Sequence, residues 1–327
     1  MQKLIKAAAI FAATIITAVS LTACATSSSQ ASELTVVVHD SVSISKELLA
    51  SFTKQTGVVV HLLKAGDAGA MTNKLVLTKD APIGDAVYGI DNTFAGVASE
   101  NKIIDGELTA IDYGDVCMNY DKTWFANHEQ AAPASIKDLI KPAFDGLTVL
   151  ENPSTSSTGL GFLAATVSVF GEKGWQAYWQ ALKNNNVKVV AGWEDAYYTD
   201  FSGSSGKGNY PIVLSYSSSP ADEVRENGES QTEALLDSCY RQTEYAGVLA
   251  GSKNKAFAKL FVKFLQSAEF QASLPGSMYV YPVVSGTALP DSWAQFAPMA
   301  PVPVGGELDV NAKRDEWLKA WAELFAQ

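Results

Sequence analysis

Apolar runs alternate with amphipathic segments along the first third of the chain. The β-branched run LTVVVHD at residues 34–40 predicts a strand buried on both faces. The next segment, SKELLASFTKQTG, places Leu48, Leu49 and Phe52 on one helical face and ends at Gly57. VVVHLLKAG and GDAVYGID predict two further strands, with a helix between them that Pro82 closes. Strands that alternate with helices predict a mostly parallel α/β sheet.

The same alternation of strand and helix patterns predicts a second α/β unit. LTVL at residues 147–150 predicts a strand, and the Ser- and Thr-rich segment ENPSTSSTGLGF comes directly after it. Helical patterning continues to about residue 185, and VKVVAGWEDAYY reads as strand, loop and helix. YPIVLSYSSSPA predicts a strand that ends in a Ser-rich turn.

Two extended segments, near residues 112–120 and 239–248, flank this second unit. They predict one domain inserted into another through two crossover strands. We therefore expect a first lobe of residues 34–115 and 242–327 and a second lobe of residues 116–241. After the second crossover, NKAFAKLFVKFLQSAEFQASL predicts one long amphipathic helix, and a Trp-bearing helix ends the chain.

The N-terminus predicts export. MQKLIK carries two lysines, an Ala-rich apolar run follows, and LTAC ends at Cys24. This order is typical of a secretion signal, and a cysteine at the junction resembles a bacterial lipobox, in which that cysteine becomes the lipidated N-terminus. We expect a signal peptide over residues 1–24 and a flexible tether over residues 25–33. An ordinary signal peptide with an incidental cysteine is the alternative.

Composition limits the number of domains and the classes of function that the chain could have. Of 327 residues, 303 would follow Cys24, which is enough for two domains. A formal charge of −11 argues against nucleic-acid binding. The remaining cysteines, Cys117 and Cys239, lie one on each crossover, where a disulfide would staple the hinge; two buried free thiols are the alternative. No cysteine or histidine spacing predicts a metal site, and no cofactor motif is present.

Polar residues follow the predicted strands of the first unit. In open α/β sheets, ligands bind beyond the carboxyl ends of the strands. His39 ends the first strand, Asp67 follows the second, and Asp91 ends the third. These ends, together with the Ser-rich turns of the second unit, predict a ligand cleft between the lobes.

The tethered two-lobe layout resembles the solute-binding proteins of ABC importers, which have the type II periplasmic-binding-protein fold. LTVVVHDS, NKLVLTKDAPIGDAVYGIDN, DYGDVCMNYDK, STSSTGLGF, GWEDAYY and LSYSSSPA, in this order, resemble the thiamine-binding subgroup. The resemblance covers nearly all of the chain after the signal. It implies a ligand site made of Asp67, Ala68, Ser156, Ser157, Trp193, Tyr216, Ser217, Ser218 and Ser219.

Two positions depart from the subgroup. His39 stands where an aromatic residue can precede the Asp-Ser pair, and Asp222 stands where another can follow the Ser-Pro-Ala turn. Both are candidate ligand contacts. Trp193 and Tyr216 would hold a cationic thiazolium ring by cation–π contacts, and Asp67 would compensate its charge. The Ser-rich turns at helix N-termini would accept the polar tail or a phosphate ester.

Other functions remain as alternatives. An enzyme is disfavoured because G-x-S-x-G, Walker A and H-E-x-x-H motifs are missing from the sequence. Tyr197 and Tyr198 resemble the tyrosine pair of ferric-iron-binding relatives but lie upstream of its usual place; small anions are a further alternative. We expect a monomeric extracytoplasmic receptor, anchored to the membrane through Cys24, that delivers its ligand to a permease with separate ATPase subunits.

Overall fold

The computed structural model describes residues 32–204 and 208–326. Its strands are β1 (Ser32–Val38), β2 (Val58–Lys64), β3 (Ala86–Asp91), β4 (Thr109–Asp121), β5 (Thr148–Glu151), β6 (Lys188–Val190), β7 (Ile212–Tyr216), β8 (Thr232–Ala234), β9 (Tyr240–Val248) and β10 (Tyr281–Pro282). Its helices are α1 (Lys46–Thr56), α2 (Ala68–Leu77), α3 (Ala95–Glu100), α4 (Lys122–Asn127), α5 (Ser157–Phe170), α6 (Trp175–Asn184), α7 (Lys255–Phe264), α8 (Ala268–Met278), α9 (Trp293–Phe296) and α10 (Val310–Ala326).

The strands form one mixed sheet in the order β2-β1-β3-β9-β4-β7-β5-β6, while β8 and β10 pair with β4. β2, β1 and β3 are parallel and make the first half of the sheet. β7, β5 and β6 are parallel and make the second half. The long strands β9 and β4 run antiparallel to each other between the halves. The predicted α/β fold with two crossover strands is thus confirmed.

A disulfide joins the crossovers where they meet. Cys117 lies on β4 and Cys239 directly precedes β9, and their Cα atoms are 4.5 Å apart. Both cysteines are buried beside Ala300. The predicted pairing is therefore present, and the covalent link lies at the strands that connect the two halves.

Local sequence explains where the helices begin and end. The Ser45 side chain accepts a hydrogen bond from the N–H of Leu48 at the start of α1, and Gly57 ends that helix with φ of 73°. The single helix predicted after β9 is instead two, α7 and α8. Ser267 caps α8 by accepting from the N–H of Phe270, so a new helix begins there. The apolar pattern of the sequence nevertheless continues across this break.

The C-terminal helix α10 contacts both halves. Asn311, in its first turn, lies against Gly96 of α3, whereas Trp321 packs edge to face on Trp179 of α6, with ring centroids 5.9 Å apart. The Lys183 ammonium of α6 donates to the carbonyl of Leu324. Residues 242–327, which include α10, are predicted from the sequence to belong to the first lobe. The predicted lobe boundaries stay a prediction.

Candidate functional site

A cavity of about 430 Å³ lies between the two halves of the sheet, at the carboxyl ends of their strands. The first half contributes His39, Lys64 and Asp67, and the second contributes Trp193 and Tyr216. The remaining lining residues come from the β1–α1 loop, the start of α5, the residues after Trp193, strand β9 and the end of α8: Ser41, Val42, Ser43, Ser157, Thr158, Glu194, Tyr198, Glu244, Gly276, Ser277, Met278, Tyr279 and Val280.

Asp67 connects the two halves across this cavity. Its Oδ1 caps α2 by accepting from the N–H of Ala68 at 2.6 Å, and its Oδ2 accepts from the N–H of Trp193 at 2.8 Å. Burial raises the pKa of Asp67, while the nearby His39 and these two N–H groups act in the opposite direction. The carboxylate therefore has both a structural role and a position facing the cavity.

Aromatic side chains form one wall of the cavity. The Trp193 ring stacks on Tyr197 with centroids 4.9 Å apart, and its Nε1–H donates to the Ser215 hydroxyl at 2.9 Å. Tyr216 and Tyr279 lie with their ring centroids 6.3 Å and 6.4 Å from that of Trp193. Because the Trp193 ring is held on one face and at its nitrogen, it presents a fixed π surface, which suits a flat cationic ring.

The floor of the cavity carries a buried ion pair. Nε2 of His39 lies 3.3 Å from Oε1 of Glu244, which belongs to β9. Burial lowers the pKa of His39, but the Glu244 carboxylate, supported by Asp67 and Asp112, outweighs burial and raises that pKa to about 9. His39 is thus an imidazolium at neutral pH.

The polar wall is a chain of hydrogen bonds. Tyr216 donates its hydroxyl to Oε1 of Gln242 at 2.9 Å, and Nε2 of Gln242 donates to the Ser157 hydroxyl at 2.9 Å. The Ser156 and Thr158 hydroxyls are 2.8 Å apart, and Thr158 donates to Glu151 at 3.1 Å. These bonds hold the first turn of α5 beside the cavity.

Comparison with known proteins adds a decisive observation. Residues 84–303 match the family described as bacterial extracellular solute-binding protein. The chain belongs to this family of solute-binding proteins.

Related solute-binding proteins support the assignment. The chain is 29% identical over 317 residues to the thiamine-binding periplasmic protein of Salmonella typhimurium, covering 90% of this chain and 94% of that protein. A solved periplasmic thiamin binding protein superposes with a TM-score of 0.79 at 25% identity, covering 90% of this chain and 96% of that one. Iron-bound HitA from Pseudomonas aeruginosa shares the fold, with a TM-score of 0.68 at 17% identity, covering 90% of this chain and 99% of that one.

The fold of this solute-binding protein brings five of the predicted ligand residues to the cavity: His39, Asp67, Ser157, Trp193 and Tyr216. Six others lie elsewhere. Ala68 and Ser156 are buried at helix starts, and a hydrogen bond from the Ser156 side chain acts to lower the pKa of Asp67. Asp222 interacts with the Tyr279 hydroxyl outside the cavity.

The three serines after Tyr216 build the turn rather than line this cavity. The Ser219 hydroxyl accepts from the N–H of Tyr216 at 3.2 Å, and the Ser218 hydroxyl donates to the carbonyl of Tyr279. Ser217 lines a separate cavity of about 280 Å³ beside Lys122 and Phe296. All three serines are buried, and the Ser217 hydroxyl has no hydrogen-bond partner within the described residues.

Sequence reasoning missed the cavity residues Glu244 and Tyr279. Glu244 is a carboxylate at a buried position of the alternating strand β9, which is a detectable signal. Tyr279 ends α8 with a left-handed φ of 57° and reaches the cavity only through the packing of that helix. No local pattern marks Tyr279, because its position depends on contacts distant in the sequence.

Proposed function

We propose that this solute-binding protein captures thiamine between its two halves and delivers it to an ABC permease with separate ATPase subunits. The observation that carries the proposal is the meeting of Asp67 and Trp193, from opposite halves, at one cavity. The backbone N–H of Trp193 donates to the Asp67 carboxylate at 2.8 Å, and the Trp193 ring lines the same cavity. A carboxylate and an aromatic face together suit a cationic heteroaromatic ring. The thiamine-binding names of the relatives support the same ligand.

Ligand capture would follow from differential affinity for a closed form. In addition to the Asp67–Trp193 bond, the N–H of Ala70 donates to the carbonyl of Thr155 at 2.9 Å, which joins α2 to the loop after β5. A ligand that contacts both Asp67 and Trp193 would stabilise these contacts.

Titration calorimetry and tryptophan fluorescence with thiamine, its monophosphate and its diphosphate test the proposal. We expect thiamine to bind with one site per chain. Because α5 begins beside the cavity with Ser157 and Thr158, and its N-cap residue Ser156 makes no side-chain cap hydrogen bond, we expect the phosphate esters to bind as well. Absence of thiamine binding would overturn the proposal, and negligible binding of both esters would restrict the ligand to the free vitamin.

Ferric iron is less well supported by the site. Tyr197 is buried, and its hydroxyl donates to Oε1 of Glu223 at 2.9 Å. Burial and Glu223 raise the pKa of Tyr197 well above its usual range, which disfavours the phenolate that ferric iron requires. Across residues 32–204 and 208–326, His, Cys, Asp and Glu side chains do not gather into a group of three or more suited to a metal. Visible absorbance after addition of ferric citrate checks this alternative.

We further propose an extracytoplasmic monomer anchored by lipidated Cys24, with residues 25–33 as tether. Cys24 lies outside the described residues. Within the part of the chain that the structure describes, the helices lack the length and apolar character to span a bilayer. Membrane fractionation of cells that express Cys24→Ala tests the anchor: release of this variant from the membrane supports it, and retention contradicts it. Light scattering after gel filtration tests the monomer.

A further inference from the structure

The ion pair on the cavity floor is buried and connects two elements of the sheet. His39 follows β1 and is 7% exposed, and Glu244 lies on crossover strand β9 and is 3% exposed. Nε2 of His39 lies 3.3 Å and 3.4 Å from the two carboxylate oxygens of Glu244. The pair thus ties the end of a first-half strand to a crossover, directly beneath the cavity.

Gly89 on β3 makes room for the imidazole. A Cβ at this position would lie 2.1 Å from Cδ2 of His39, and Gly89 has φ of 106°, which favours glycine. The imidazole therefore packs on a stretch of backbone that leaves space for it. An arrangement this close holds the His39 ring against the Glu244 carboxylate.

The other charged groups around His39 define the charge of the floor. Asp67 and Asp112 are the further carboxyl groups that act on its imidazole. Asp112 accepts from the Tyr88 hydroxyl at 2.5 Å, and burial together with Glu244 raises its pKa, which favours the neutral acid. Lys64 lies at the rim and donates to the carbonyl of Asp40. Glu194 also lines the cavity and has the charge opposite to that of Lys64. His39 and Glu244 neutralise each other, which leaves Asp67, whose oxygens accept from the N–H groups of Ala68 and Trp193, as the remaining carboxylate of the floor.

We propose that His39 is a specificity-determining residue: by pairing with Glu244 it leaves one net negative charge on the cavity floor, and the site thereby selects a ligand group that carries a single positive charge. The inference rests on the proposed function where it concerns thiamine, whose thiazolium has one permanent charge. It extends that function by assigning the selection to a residue that departs from the thiamine-binding subgroup.

Removal of the imidazolium has a defined consequence. A buried carboxylate without a counter-charge takes up a proton, because desolvation disfavours its ionised form. In His39→Gln, Glu244 and Asp67 would be two neighbouring carboxyl groups, and one of them would be protonated in the empty cavity. A cationic ligand bound beside both carboxyl groups would favour their ionised forms and lower the pKa of the protonated one, so that proton would be released on binding.

The test measures proton release by calorimetry of thiamine binding at pH 7 in phosphate and in Tris, which differ in ionisation enthalpy. We expect His39→Gln to release about one proton more per bound thiamine than the wild type, and its affinity to fall about tenfold for each pH unit below neutrality. The double variant His39→Gln/Glu244→Gln removes both charges and should return the proton count to the wild-type value. The control His61→Gln alters an exposed histidine near Glu33 and should match the wild type.

The outcomes separate this inference from the proposed function. An unchanged proton count in His39→Gln, or a double variant that still releases the extra proton, would overturn the role of His39. Nitrogen NMR of the ligand-free wild type gives a reading that needs neither ligand nor variant folding: a neutral His39 imidazole at pH 7.5 also overturns it. If His39 is an imidazolium but thiamine does not bind, the proposed function fails while the charge assignment holds.

Discussion

At the scale of single residues, the cavity depends on side chains with two roles. Trp193 belongs to the core by burial, yet its ring also lines the cavity. Asp67 caps a helix and lines the cavity. The structural and functional interpretations of these residues are therefore not alternatives, since the same contacts that fix the side chains also orient them.

Trp193→Ala should raise the dissociation constant for thiamine at least about tenfold, because it removes the cation–π surface, whose contribution is about 0.5–2 kcal/mol, and apolar contact area as well. Titration calorimetry measures the change. Trp124→Ala is the matched control: Trp124 stacks on His128 away from the cavity. Equal affinities of the wild type and Trp193→Ala would place the ligand elsewhere.

At the scale of elements, two helix caps differ in their contacts: one stabilises only its helix, and the other also contacts the loop that carries Trp193. α1 and α2 each begin with a side chain that accepts from the backbone, Ser45 and Asp67 respectively. The Ser45 side chain accepts a hydrogen bond from its own helix, whereas the Asp67 side chain also accepts one from the N–H of Trp193. The two helices therefore form a natural comparison.

Ser45→Ala should lower the free energy of unfolding by about 1 kcal/mol and leave thiamine affinity unchanged, because it removes a cap that is not among the residues lining the cavity. Asp67→Ala should weaken thiamine binding at least about tenfold, because it removes the charge of the floor and the contact with Trp193. Urea unfolding and calorimetry on both variants check this. If Ser45→Ala weakened binding as much as Asp67→Ala, loss of helix stability alone would explain both.

At the scale of the whole molecule, the crossovers, their disulfide and α10 join the halves. The Cys117–Cys239 bond closes a loop with a sequence separation of 122 residues, which restricts the unfolded chain strongly. It also lies where the two strands that connect the halves meet.

The double variant Cys117→Ser/Cys239→Ser should lose about 2–5 kcal/mol of unfolding free energy, because its unfolded state gains the entropy that the bond removes. Urea denaturation with and without dithiothreitol measures the loss. The reductant should lower the unfolding free energy of the wild type to a value near that of the variant. It should leave the unfolding free energy of the variant unchanged. Identical midpoints for the oxidised wild type and the variant would contradict a stabilising role.

The sequence by itself predicted much of the fold, because hydrophobic periodicity and turn residues act locally. The buried strands β1 and β3 and the α1 stop at Gly57 follow directly from such patterns. The two crossovers were also predictable, since they are long extended segments on either side of a second α/β unit. The break between α7 and α8 was not predicted, because the apolar pattern continues across Ser267.

The cavity residues also fall into a group that the sequence predicted and a group that it did not. His39, Asp67, Ser157, Trp193 and Tyr216 follow strand ends, and the common direction of parallel strands brings such residues together. Only the tertiary structure placed Tyr279 and Glu244 in the cavity, gave the Ser218 and Ser219 hydroxyls protein partners, and brought α10 to both halves. Contacts between segments distant in the chain decide these positions, and local patterns carry no information about which distant surfaces will meet.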